Sequence, residues 1–126
     1  MKPEIAEIWV QALESGEYEQ GTGQLVIVTD DRLPLPRKYC CLGVLCDLAN
    51  KAGVKASGDD PETKRYGWDF ATDGATLPEV VLEWADIKTA GGFFGPDHLG
   101  SLLVHNDNGD SFPEIAAIIR AHVEDL

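Results

Sequence analysis

Apolar positions recur along this chain with a period that changes from segment to segment. Over Pro3–Glu14, Ile5, Ile8, Trp9, Ala12 and Leu13 follow the i, i+3, i+4, i+7, i+8 spacing of one helical stripe, with Pro3 suited to the first turn and Gly16 to the exit. Gly21-Thr22-Gly23 turns the chain into Gln24–Thr29, whose β-branched residues predict a strand that Asp30-Asp31 and the prolines at 34 and 36 terminate. From Arg37 to Gly53 the run is almost unbroken in apolarity. Tyr39 and Cys40 are expected in a short strand, followed by a helix over Leu42–Ala52. Leu42, Leu45, Cys46 and Ala49 share a face of that helix, which Cys41, Val44 and Leu48 widen, so it should be the most buried element.

In the second half, Tyr66, Trp68 and Phe70 alternate with Gly67 and Asp69, a period of two that predicts a strand closed by Asp73-Gly74. Thr76-Leu77-Pro78-Glu79 and Ser111-Phe112-Pro113-Glu114 both read as capping boxes opening helices. Leu77, Val80, Val81 and Trp84 form the apolar face of the first of these helices. Phe112, Ile115, Ala116, Ile119 and Val123 form that of the second. Between them, after Gly91-Gly92 and Phe93-Phe94, a short helix is expected over Asp97–Val104 on Leu99, Leu102 and Leu103. The order α, β, β, α, β, then three α, predicts an α+β fold: a small antiparallel or mixed sheet of about three strands with four to five helices packed on it. At 126 residues the chain is read as a single domain, 1–126, able to bury a core without metal or disulfide staples.

Charge narrows the choice of partners. Twenty-two acidic and ten basic residues leave −12, with residues 67–126 holding eleven acids against two bases. The average field repels nucleic acid phosphate and anionic lipid, and the C-terminal half should present an acidic face. No apolar run approaches the roughly 20 residues of a membrane span. The three cysteines, two of them adjacent and none preceded by a leader-like segment, read as reduced thiols in a cytoplasm.

Candidate chemistry is sparse. Cys40-Cys41-x4-Cys46 lacks zinc-ligand spacing, and a thiol nucleophile would need a histidine brought to it by the fold, so the cysteines read as core. Around Asn106-Asp107-Asn108-Gly109, a calcium loop with Gly109 at its sixth position would put Val104 and Ile115 where oxygen ligands belong, so an Asn-Gly turn is the better reading. GTG at 21–23 matches no phosphate loop. No catalytic residue, metal ligand or cofactor is assigned. The residues assigned to ligand binding are Tyr66 and Trp68, as aromatic recognition surfaces beside Lys64 and Arg65, and Asn106 and Asp107 in the polar turn.

Four blocks carry a resemblance: WVQALESGEYEQGTGQL at 9–25, YCCLGVLCDLA at 39–49, LPEVVLEW at 77–84 and NDNGDSFPEIA at 106–116. Together they resemble an uncharacterised family of short proteins encoded by phages and prophages. The resemblance implies an accessory protein acting in a bacterial host cytoplasm. The expected function is non-catalytic binding of a host protein or a small signalling ligand, as in counter-defence. A small enzyme using a cysteine or Asp107, and a structural or assembly protein, are the competing classes.

Overall fold

A computed structural model describes residues 1–28, 36–54, 67–68 and 72–126. Helix α1 spans Pro3–Glu14, as the periodicity requires, with Pro3 in the first turn. Its buried face is Ala6, Trp9, Val10 and Leu13, so the stripe is turned slightly from the expected one and Ile8 stays exposed. Strands β1 (Val26–Val28) and β2 (Arg37–Tyr39) pair antiparallel, Val26 opposite Tyr39 and Val28 opposite Arg37.

Helix α2, Cys41–Lys51, is the centre of the molecule. Eight of its eleven residues are buried, among them Leu42, Val44, Leu45 and Cys46. Its start depends on Gly43: a Cβ there would stand 1.8 Å from the Leu25 carbonyl oxygen, so only glycine lets the helix approach the chain leading into β1 this closely. Cys40 is the N-cap, its Sγ accepting from the Gly43 amide at 3.3 Å. Trp9 locks α1 to the same corner by donating from Nε1 to the Cys41 carbonyl at 2.9 Å.

The second half departs from expectation in three places. Helix α3 covers Glu79–Ala85, but its N-cap is Pro78 and it has no side-chain cap. Thr76 is not a capping-box residue, because its hydroxyl donates instead to Asp73 Oδ1 at 3.1 Å. That carboxylate also receives the amides of Ala75 and Thr76, which hold its pKa below the ordinary value.

The helix expected over Asp97–Val104 is a hairpin followed by a shorter helix. Strand β3 (Phe93–Phe94) pairs antiparallel with β4 (Gly100–Ser101) across a 3-10 turn at Pro96–His98, and α4 covers Leu102–Asp107. The leucine spacing was compatible with a helix, but Gly95-Pro96 and left-handed backbone at Asp97 and His98 break one there.

Third, Tyr66, Asp69 and Phe70 of the aromatic segment lie outside the described residues. Gly67 and Trp68 form part of a 3-10 turn rather than a strand, with Trp68 only 2% exposed.

Helix α5, Phe112–Ala121, opens on the expected capping box: Ser111 Oγ accepts from the Glu114 amide, and Glu114 Oε1 accepts from the Ser111 amide. It packs most extensively on α1. The α+β class is as expected. Among the described residues, five α-helices surround two small antiparallel sheets, order β1-β2 and β3-β4, where one sheet of about three strands was expected. No helix among them is long and apolar enough to cross a membrane.

Candidate functional site

The polar residues expected in a turn, Asn106 and Asp107, form the last positions of α4. Asn106 is completely buried. Its Oδ1 accepts from Gln20 Nε2 at 2.9 Å and from the Cys41 amide at 3.1 Å, and its Nδ2 donates to the Gly21 carbonyl at 2.9 Å. One amide therefore satisfies a free donor at the start of α2 and two groups of the turn before β1, the Gln20 side-chain amide and the buried Gly21 carbonyl. Gln20 Nε2 also donates to the Asp110 carbonyl at 2.8 Å. Asp107 is exposed, with Oδ1 accepting from the Gly23 amide at 2.9 Å.

Of the four residues assigned to ligand binding, the structure brings Asn106 and Asp107 together, with Asn106 turned inward and Asp107 at the surface. Trp68 is buried, and Tyr66 lies outside the described residues. Gly109 adopts the left-handed conformation expected of the turn, whereas Asn108 does not.

Beside this node lies a cluster that residue patterns did not single out. The Phe94 ring is flanked by two imidazoles, with centroids 5.7 Å from His105 and 4.7 Å from His122. Each imidazole is tied to a carboxylate, His105 Nδ1 to Asp110 Oδ2 at 2.6 Å and His122 Nδ1 to Asp125 Oδ2 at 3.0 Å. The hydrogen bond from His122 holds Asp125 below the usual carboxylate range. Asp125 Oδ2 also receives the Gly95 amide at 3.3 Å, latching the β3–β4 hairpin to the segment after α5. Gly100 lies under the Phe94 ring, where a Cβ would come within 2.4 Å of it.

On the α2 side, Tyr18 donates to Asp47 Oδ2 at 2.5 Å and receives Lys51 Nζ at 3.1 Å. Burial first, then the bond to Asp47, push the phenol up to about 12. Its ring meets Tyr39 edge-on, 5.1 Å between centroids. The α1–α5 seam carries two open clefts of about 540 and 230 Å³ that share Pro3, Arg120 and Val123. Arg120 is engaged there by Glu14 at 2.9 Å and by Glu7 at 4.0 Å.

The thiols are inaccessible. Cys40, Cys41 and Cys46 form no disulfide and have no exposed surface. Burial pushes the Cys41 thiol well above its ordinary pKa, and its Sγ donates to the Leu102 carbonyl at 3.5 Å. Among the described residues, no three His, Cys, Asp or Glu side chains are placed to share a metal ion.

The chain matches the family model of a domain of unknown function, DUF8296, over residues 1–123. It belongs to that family. No curated protein and no solved structure matches it. The matched span runs from α1 through α5, so the Asn106 node, both histidines and the hairpin all fall within the family's domain.

Proposed function

We propose that this is a non-catalytic binding protein, an accessory protein of a phage or prophage that acts in the bacterial host cytoplasm on a host protein, in the manner of a counter-defence factor. The phage assignment is supported by the resemblance of the WVQALESGEYEQGTGQL, YCCLGVLCDLA, LPEVVLEW and NDNGDSFPEIA blocks. The observation that carries the binding reading is the complete burial of Cys40, Cys41 and Cys46, with Cys41 held in its thiol form. That placement deprives the competing thiol enzyme of its nucleophile, since the thiolate is the reactive species. An acidic surface remains as the means of recognition, with residues 67–126 contributing eleven acids against two bases.

Native mass spectrometry of the purified protein, before and after exposure to bacterial lysate, tests this. A stoichiometric added protein mass that Cys40→Ser retains is the expected result. Turnover of a lysate component without retained mass, lost in Cys40→Ser, would establish an enzyme instead.

A further inference from the structure

The apolar side chains left in solvent are unevenly placed. Among the described residues, the large ones are Ile8, Val80, Phe93, Leu99 and Val104, and three of these five fall between positions 93 and 104. Leu99, at the tip of the β3–β4 hairpin, is 84% exposed, Val104 is 52% and Phe93 39%. A lone surface leucine needs no explanation, but this one stands on a tip with a demanding backbone. Asp97 and His98 are consecutive non-glycine residues at φ 57° and 54°.

The surroundings hold that backbone in place. The His98 amide donates to the Gly95 carbonyl at 3.2 Å and the Leu99 amide to the Pro96 carbonyl at 3.4 Å. Asp125 receives the Gly95 amide, and Phe94 is packed between His105 and His122. An apolar side chain held out on a braced turn loses little conformational freedom when it is captured.

We infer that the β3–β4 hairpin is a preformed docking knob that inserts Leu99 into an apolar socket rimmed by Lys or Arg on a partner protein. The inference rests on the binding reading above and gives it a surface. Charge determines the kind of partner. Asp97 is on the knob itself, the hairpin is latched by Asp125, and Glu124 is adjacent. Residues 88–126 carry six acids and two bases, of which Arg120 is paired with Glu14 and Lys88 is engaged by the Glu124 carbonyl at 2.6 Å. A basic rim complements that surface, whereas an anionic membrane does not.

The test places a photo-crosslinking phenylalanine analogue at position 99, and at position 80 as an exposed control, in the full chain expressed in bacteria. The probe is the bacterial protein crosslinked at position 99, which is then purified and titrated against wild type, Leu99→Ser and Asp97→Lys. Crosslinking at 99 but not at 80 is expected, to a peptide with apolar residues flanked by Lys or Arg. Leu99→Ser should keep the denaturation midpoint and weaken the pair at least tenfold. Asp97→Lys should weaken it by an amount that shrinks at high salt.

Equal affinity of Leu99→Ser would overturn the knob and leave the binding reading standing on another surface. A crosslink to a second copy of this chain would overturn it, as would binding to phosphatidylglycerol vesicles that Leu99→Ser abolishes. Lysate exposure that adds no mass to the wild-type protein would remove the binding reading and the knob together.

Discussion

Asn106 and Cys41, 65 residues apart in the chain, are joined by a hydrogen bond of 3.1 Å from the Cys41 amide to the Asn106 side-chain carbonyl. The bond ties the end of α4 to the beginning of α2, while the other end of the same amide holds the Gly21 carbonyl. Replacing Asn106 by alanine leaves both buried backbone groups without this partner, so a loss of about 3 kcal/mol in unfolding free energy is expected. Asn106→Asp should also destabilise, because an oxygen would face the Gly21 carbonyl where a donor is required. Urea denaturation followed by tryptophan fluorescence measures both, and an unchanged midpoint in Asn106→Ala would show that the node carries no stability.

The two expected capping boxes should separate in the same assay. Ser111→Ala removes a side-chain cap and should cost about 0.5 to 2 kcal/mol. Thr76→Ala removes only an exposed bond to Asp73 and should fall within about 0.5 kcal/mol of wild type.

Gly43→Ala should be among the most damaging small substitutions in the protein. Its methyl group would meet the Leu25 backbone, which cannot rotate away as a side chain can, so a loss of about 3 kcal/mol or failure to fold is expected. A soluble variant with a wild-type midpoint would contradict the close approach of α2 to the chain before β1.

Thiol reagents should label none of the three cysteines in the native protein and all three after denaturation. Cys40→Ser should fold, because a serine hydroxyl can accept from the Gly43 amide as the sulfur does. Rapid labelling of Cys46 without unfolding would refute its core position.

Tyr18 gives the protein an alkaline limit. Its folded pKa, about 12, stands above the ordinary 10.0, so its contribution to stability is fully present below about pH 10 and is lost as pH rises through 12. Tyrosinate absorbance should show one of the chain's three tyrosines titrating late. The denaturation midpoint should fall across the same interval, and Tyr18→Phe should flatten that fall.

What could be read in advance was local. The α1 boundaries follow from a periodicity bracketed by Pro3 and Gly16, and the Ser111 box from residues three apart. The burial of α2 follows from a face so wide that little of it could meet water. Thr76 misled because Asp73, three residues upstream, captures its hydroxyl before α3 begins. The hairpin at 93–101 was hidden by leucines at helix-compatible spacing, since the left-handed backbone of Asp97 and His98 has no local signal and the contacts of Gly95 with Asp125 and of Phe94 with His122 join residues far apart in the chain. Asn106 was visible as a polar residue in a turn, but its work depends on partners at Gln20, Gly21 and Cys41 that only the fold brings near.

The packing of α1 on α5 sets the order in which the protein can be made. A ribosome delivers α1 before the other described elements and α5 after them, so the Trp9 face emerges with its main docking partner still unsynthesised. The start of α2 likewise waits for Asn106. Neither corner can be completed from the N-terminal half, and the native arrangement closes only after translation has passed residue 121.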